Sequence, residues 1–175
     1  MDQSISRVTT TTALALAMLG APALSSAGGG TAEPTVVFVC EHGSSRSLLA
    51  ASLFNRMAEE RGLSVRALSR AASEKTADQS VPAPLAKQMA ADGFQVEDFK
   101  PKALTASEAV AATRIVTLQF DASVEAANEA PVERWSDIGS PSREYAVTKR
   151  VIASHIRALL EQLRGGADTS TGKRE

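Results

Sequence analysis

The sequence predicts a single α/β domain with a parallel sheet and helices packed on both of its faces. Three observations carry this expectation. Between about residues 35 and 164, short β-type runs alternate with longer helical ones. The first run, Thr35-Val-Val-Phe-Val, is continuously apolar, as a strand covered on both faces must be. The chain has 175 residues, enough for one full core and too few for two ordinary domains. Strand–helix–strand alternation calls for right-handed crossovers and places a ligand site at the carboxyl ends of the strands.

Each element has its own signal. Residues 35–39 form the first strand, and residues 45–62 the first helix, with Leu49, Leu53 and Met57 on one face and Gly62 as its stop. The second strand is expected over 64–69, followed by a polar loop over 71–80. A helix over 82–92 turns Leu85 and Met89 inward and ends at Gly93. Residues 94–101 are a connection. Thr105 or Ser107 caps a short helix through Ala112, with Ser107 favoured by its place before Glu108 and the alanine run. Residues 114–120 form the third strand, 121–130 an acidic, alanine-rich short helix and 132–135 the fourth strand. Residues 142–164 form the longest helix, striped by Tyr145, Ile152, Ile156, Leu159, Leu160 and Leu163 and closed by Gly165-Gly166.

Composition narrows the function. Hydrophobic residues are 43% and charged residues 22%, values of an ordinary globular chain. A net charge of −1 with 4% aromatic residues offers neither an electrostatic footprint nor a stacking platform, which argues against a nucleic-acid partner. Residues 1–27 read as a signal peptide: Arg7 lies in a polar start, an apolar stretch runs from Ala13 to Leu24, and Ser25-Ser26-Ala27 supplies small residues for cleavage. The apolar stretch is too short to span a bilayer, so stable membrane insertion is not expected, and the localisation predicted is periplasmic or secreted, otherwise cytoplasmic. Residues 28–34 are a linker, 35–165 the domain and 166–175 a polar tail. The chain has one cysteine, so no internal disulfide can form, and two histidines without ligand-spaced partners make a metal site improbable.

That cysteine ends the first strand. Five residues separate Cys40 from Arg46, and a helical pattern begins at once. A loop of small residues closing onto a helix N-terminus converges backbone N–H groups and a positive dipole end on one point. The same field favours the thiolate form of Cys40, which is the nucleophile. Arg46 supplies a guanidinium fork for two oxyanion oxygens, Gly43 permits a positive φ, and the hydroxyls of Ser44, Ser45 and Ser47 are candidate donors. Glu41 and His42 complete the candidate substrate-binding loop. His155, near the apolar stripe of the last helix, reads as a partly buried packing residue.

At these residues the chain resembles the low-molecular-weight protein tyrosine phosphatase superfamily, which also contains arsenate reductases. The match is the strand followed by Cys-x5-Arg-Ser, residues 40–47. The resemblance implies a four-stranded α/β fold, Cys40 as nucleophile, Arg46 as oxyanion clamp and Ser47 as the hydroxyl that steadies the thiolate. The family's phosphatases usually carry Asn where this chain has Gly43, and many have a second cysteine where it has Ser45. By the same resemblance Asp137, between the last strand and the last helix, is the general acid, although Ile138 stands where the family has proline. Asp121 is the second candidate for that role. Phosphotyrosine enzymes of the family line their slot with aromatics near the acid loop, and here Trp135 and Tyr145 are the candidates.

Three functions follow from different classes. The first is hydrolysis of a phosphate monoester, on a small molecule or a phosphoprotein, through a cysteinyl-phosphate and without a cofactor. The second is arsenate reduction, which in a chain with one cysteine needs an external thiol donor. The third is a non-catalytic oxyanion-binding module.

Overall fold

The computed structural model describes residues 33–77, 79–119 and 130–171. Four strands, β1 (Thr35–Cys40), β2 (Arg66–Ala71), β3 (Arg114–Leu118) and β4 (Val132–Trp135), form one sheet in the order β2-β1-β3-β4. Every neighbouring pair is parallel. The helices are α1 (Arg46–Glu59), α2 (Ala83–Ala91), α3 (Ala106–Ala111) and α4 (Tyr145–Thr171). The expected α/β fold with a four-stranded parallel sheet is therefore the observed one.

Alternation along the strands sorts two cores. Val36, Phe38, Val116, Leu118 and Trp135 face α1 and α4, where Leu49, Phe54, Ile152, Ile156 and Leu160 complete the larger core. Val37, Val39 and Ile115 face the other way, onto Ala109 of α3 and Ala112 after it. From Val36 to Val39 β1 is buried on both faces, and every residue there is apolar. The chain leaves β1 toward β2 on one side and reaches β3 on the other, so the strand order reverses between β1 and β3. A crevice opens at the carboxyl ends of strands at such a reversal.

Glycine sets two of the helix stops as the sequence predicts. At Gly62, φ is +64°, its N–H reaches the Glu59 carbonyl, and the Leu63 N–H reaches the Ala58 carbonyl. This pairing satisfies the last carbonyls of α1. Gly93 does the same for α2, with Phe94 bonded back to Met89.

Several boundaries differ from expectation. β2 lies two residues later than 64–69, because its register follows β1 from Thr35↔Arg66 to Cys40↔Ala71, a constraint that local alternation does not contain. Ala71 is thus strand and not loop. Thr105, and not Ser107, caps α3: its side chain accepts from the Glu108 N–H while the Glu108 carboxylate accepts from the Thr105 N–H. α4 begins at Tyr145, three residues after Ser142, and Gly165-Gly166 does not close it, since the helix runs to Thr171. The third strand ends at Leu118; Phe120 and, of the helix expected over 121–130, residues 121–129 with Asp121 lie outside the described residues, as do residues 1–27 and their signal-peptide reading, and Ala130 is not helical. Among the described residues no helix is long and apolar enough to cross a membrane.

Candidate active site

Cys40 closes β1 at the carboxyl edge of the sheet and is 3% exposed. Residues 41–45 then turn the chain into α1, whose first turn carries no acidic side chain to offset its positive end. Ser45 caps the helix through its carbonyl, which accepts from the Leu49 N–H at 3.0 Å, and makes no side-chain cap bond. The loop is held down by β2. The Ala72 N–H donates to the carbonyls of Cys40 and Glu41, at 3.0 and 3.3 Å.

Gly43 is the position where the loop meets β2 most closely. Its φ is +69°, and a Cβ there would lie 2.7 Å from the Ala71 nitrogen and 3.0 Å from the Arg70 carbonyl carbon. Asparagine tolerates the φ, but no side chain fits against that backbone. The departure from the family's usual Asn is thus matched by a tight backbone approach.

Bracing comes instead from Ser69, a buried β2 residue that the sequence reading did not single out. Ser69 Oγ lies 2.8 Å from the Gly43 carbonyl and 2.9 Å from Ser47 Oγ, and Ser47 Oγ lies 3.0 Å from Cys40 Sγ. Ser69 is the donor in both of its bonds, to the Gly43 carbonyl and to Ser47 Oγ. Ser47, accepting from Ser69, is free to give its own hydrogen to a Cys40 thiolate. The signal for Ser69 was present as a polar residue in a β-type run, but its partners are 22 and 26 residues away in sequence.

Arg46 donates from Nε to the carbonyls of Ile138 and Gly139, at 3.1 and 3.0 Å. This joins the clamp to the loop that carries Asp137 and leaves the outer guanidinium edge for an oxyanion. Ile138 itself is fully buried. Hence the residue at the family's proline position anchors its loop by packing. Ser44 and Ser47 are buried, Glu41 is exposed, and His42 is partly exposed with Nε2 3.8 Å from a Glu41 oxygen. His42 Nδ1 is buried without a hydrogen-bond partner among the described residues.

Asp137 meets a residue that was expected only to pack. His155 Nε2 lies 2.9 Å from both carboxylate oxygens, and this hydrogen bond holds the Asp137 carboxyl below its ordinary range. His155 also packs, stacked on the Trp135 indole with ring centroids 4.6 Å apart. The aromatic slot expected from Trp135 and Tyr145 is not formed by these side chains. Trp135 is 2% exposed, and Tyr145, 8% exposed, donates its hydroxyl to Asp92 at 2.5 Å. At the end of β3, Gln119 has φ +52° and donates from Nε2 to the Ser136 carbonyl at 2.8 Å. The described residues contain no cluster of three or more metal-type ligands.

Residues 35–138 match the family model of the low molecular weight phosphotyrosine protein phosphatases. The chain belongs to this family. Its members are enzymes, and this domain has their fold. A protein tyrosine phosphatase from Entamoeba histolytica is similar at 15% identity and a TM-score of 0.65, over 77% of this chain and 99% of that one. An arsenate reductase from Archaeoglobus fulgidus is 28% identical with a TM-score of 0.52, over 74% and 98%. A thioredoxin-dependent arsenate reductase from Corynebacterium glutamicum is 20% identical with a TM-score of 0.62, over 78% of this chain, which spans 65% of that one. No curated protein matches the chain.

Proposed function

We propose that this phosphatase-family protein hydrolyses phosphate monoesters through a cysteinyl-phosphate. The observation that carries the reading is the pair of bonds from Arg46 to Ile138 and Gly139, which brings the loop of Asp137 to the loop of Cys40. The Cys40 thiolate attacks phosphorus in line, and the S–P bond forms as the ester P–O bond breaks. Arg46 and the loop amides hold the charge spread over the equatorial oxygens, and Asp137 gives its proton to the leaving oxygen. Water then attacks phosphorus, Asp137 takes the water proton, and the S–P bond breaks to return the thiolate and inorganic phosphate. No cofactor enters this balance. Glu41, His42 and Ser45 form the rim of the loop in this reading, and the buried Gly43, Ser44 and Ser47 shape its floor.

Arsenate reduction is the second reading, favoured by the 28% identity to the Archaeoglobus fulgidus reductase. With Cys40 as the sole cysteine, an external thiol attacks the sulfur of the Cys40–arsenate adduct, the S–As bond breaks to release arsenite as a Cys40–thiol disulfide forms, and a second external thiol reduces that disulfide to return Cys40. The residues before Thr35 are read as an export signal and linker; the amino-terminal sequence of the secreted protein tests this.

Freshly reduced protein offered an aryl phosphate, and separately arsenate with small thiols, distinguishes the reactions. Phosphate release abolished in Cys40→Ser supports hydrolysis. Thiol consumption that depends on arsenate and Cys40, with no ester turnover, replaces it with reduction. Phosphate binding without either reaction leaves an oxyanion-binding module.

A further inference from the structure

The backbone around Asp137 is fixed on both sides. Gln119 donates to the carbonyl of Ser136 before it, Arg46 donates to the carbonyls of Ile138 and Gly139 after it, and Ile138 is sealed in the core. The side chain is not fixed by these contacts. Its surface is 57% exposed, and a carboxylate so placed exchanges freely between rotamers unless another group selects one. Among the described residues, and apart from Asp137's own backbone, the group that meets the carboxylate is His155.

His155 is itself held in place. Its ring lies 19° from parallel to the Trp135 indole. That indole is buried, lies against Phe38 at 5.5 Å between centroids, and donates from Nε1 to Glu133 at 2.7 Å. A path of contacts therefore runs from the sheet core through Trp135 and His155 to the Asp137 carboxylate. Nε2 sits 2.9 Å from both oxygens, so the contact fixes the carboxylate plane as well as its position.

We propose that His155, on α4, is the positioning residue for Asp137, holding its carboxyl in one rotamer, with Gln119 and Arg46 fixing the backbone that carries it. This rests on the reading of Asp137 as the general acid. His155 acts through Asp137 and exchanges no proton with substrate, so its effect follows the leaving group. An ester with a strongly acidic phenol departs without protonation, whereas one with a weakly acidic phenol needs the acid.

The test measures kcat/KM for p-nitrophenyl phosphate and phenyl phosphate at one pH in the full chain. Asp137→Asn, His155→Phe, His155→Gln and the double variant Asp137→Asn with His155→Phe are compared with the parent. His155→Phe keeps a flat ring on Trp135 and loses the donor, and His155→Gln keeps an amide donor near Nε2. The expected result is a loss of about tenfold on phenyl phosphate in His155→Phe, with little change on p-nitrophenyl phosphate or in inhibition by inorganic phosphate. His155→Gln recovers most of the loss, and His155→Phe adds nothing once Asp137 is Asn. Equal losses on both esters, or a further loss in the double variant, overturn the proposal and make His155 a structural residue. If Asp137→Asn leaves the preference between the esters unchanged, the acid assignment fails and the proposal falls with it. A selective loss in Asp137→Asn but none in His155→Phe overturns the positioning role alone.

Discussion

Arg46 Nε is shared between the carbonyl oxygens of Ile138 and Gly139, so the cation that ends the Cys40 loop also ties down the loop of Asp137. The inner edge of this side chain is thus structural, and in the proposed reaction its outer edge is the oxyanion clamp.

Lysine cannot do both. In Arg46→Lys the charge stays, but the Nε donor and the planar fork are lost. We expect kcat/KM for an aryl phosphate to fall roughly 10²-fold or more, with weaker inhibition by inorganic phosphate, as when an oxyanion donor is removed. Steady-state kinetics check this, and unchanged inhibition by phosphate would count against a clamp.

Ser69→Ala removes the donor to the buried Gly43 carbonyl and to the Ser47 hydroxyl that meets Cys40. Leaving that carbonyl unpaired costs about 1–3 kcal/mol, read from the urea midpoint. Activity falls in the same variant, because the loop that aims the sulfur has lost its brace.

At Gly43 the expected cost is larger. Alanine must adopt φ +69° and place its Cβ 2.7 Å from the Ala71 nitrogen. Strain and overpacking together cost about 2–5 kcal/mol, so Gly43→Ala should melt earlier and lose its phosphate affinity. A variant that keeps both would show that β2 can move away from the loop.

Stability should depend on acidity through Glu108. The Arg70 guanidinium beside it, whose hydrogen bonds outweigh the opposing cost of burial, lowers its carboxyl to about 2 from an ordinary 4.5. A depressed carboxyl adds stability above its unfolded pKa, and that stability drains away as pH falls from about 4.5 to about 2. Glu108→Gln should therefore be less stable than the parent near neutrality and approach it through that window. Thermal melts at pH 3 and pH 6 check the sign.

The sequence alone determined the fold class and brought out the centre of the candidate site. A continuously apolar β1 ending on the only cysteine, with arginine six positions later at the start of an amphipathic helix, requires only contacts that are close along the chain. Cys40, Arg46, Ser47 and the left-handed Gly43 were legible for that reason, and so were the stops at Gly62 and Gly93. Tertiary structure decided what depends on register and on distant partners. Ser69 reached the loop because β2 pairs with β1 two residues later than its own alternation suggests. The Thr105 cap, by contrast, rests on a local box with Glu108 three residues on, a signal the sequence itself carried. His155 was readable as a packing residue, but its bond to Asp137 spans 18 residues and depends on where α4 lies against β4. Trp135, a candidate slot wall by sequence, was drawn into the core beside Phe38, since burying a large aromatic side chain outweighs leaving it at a rim. Local periodicity fixes which residues belong to an element, whereas only the packed sheet fixes which elements meet.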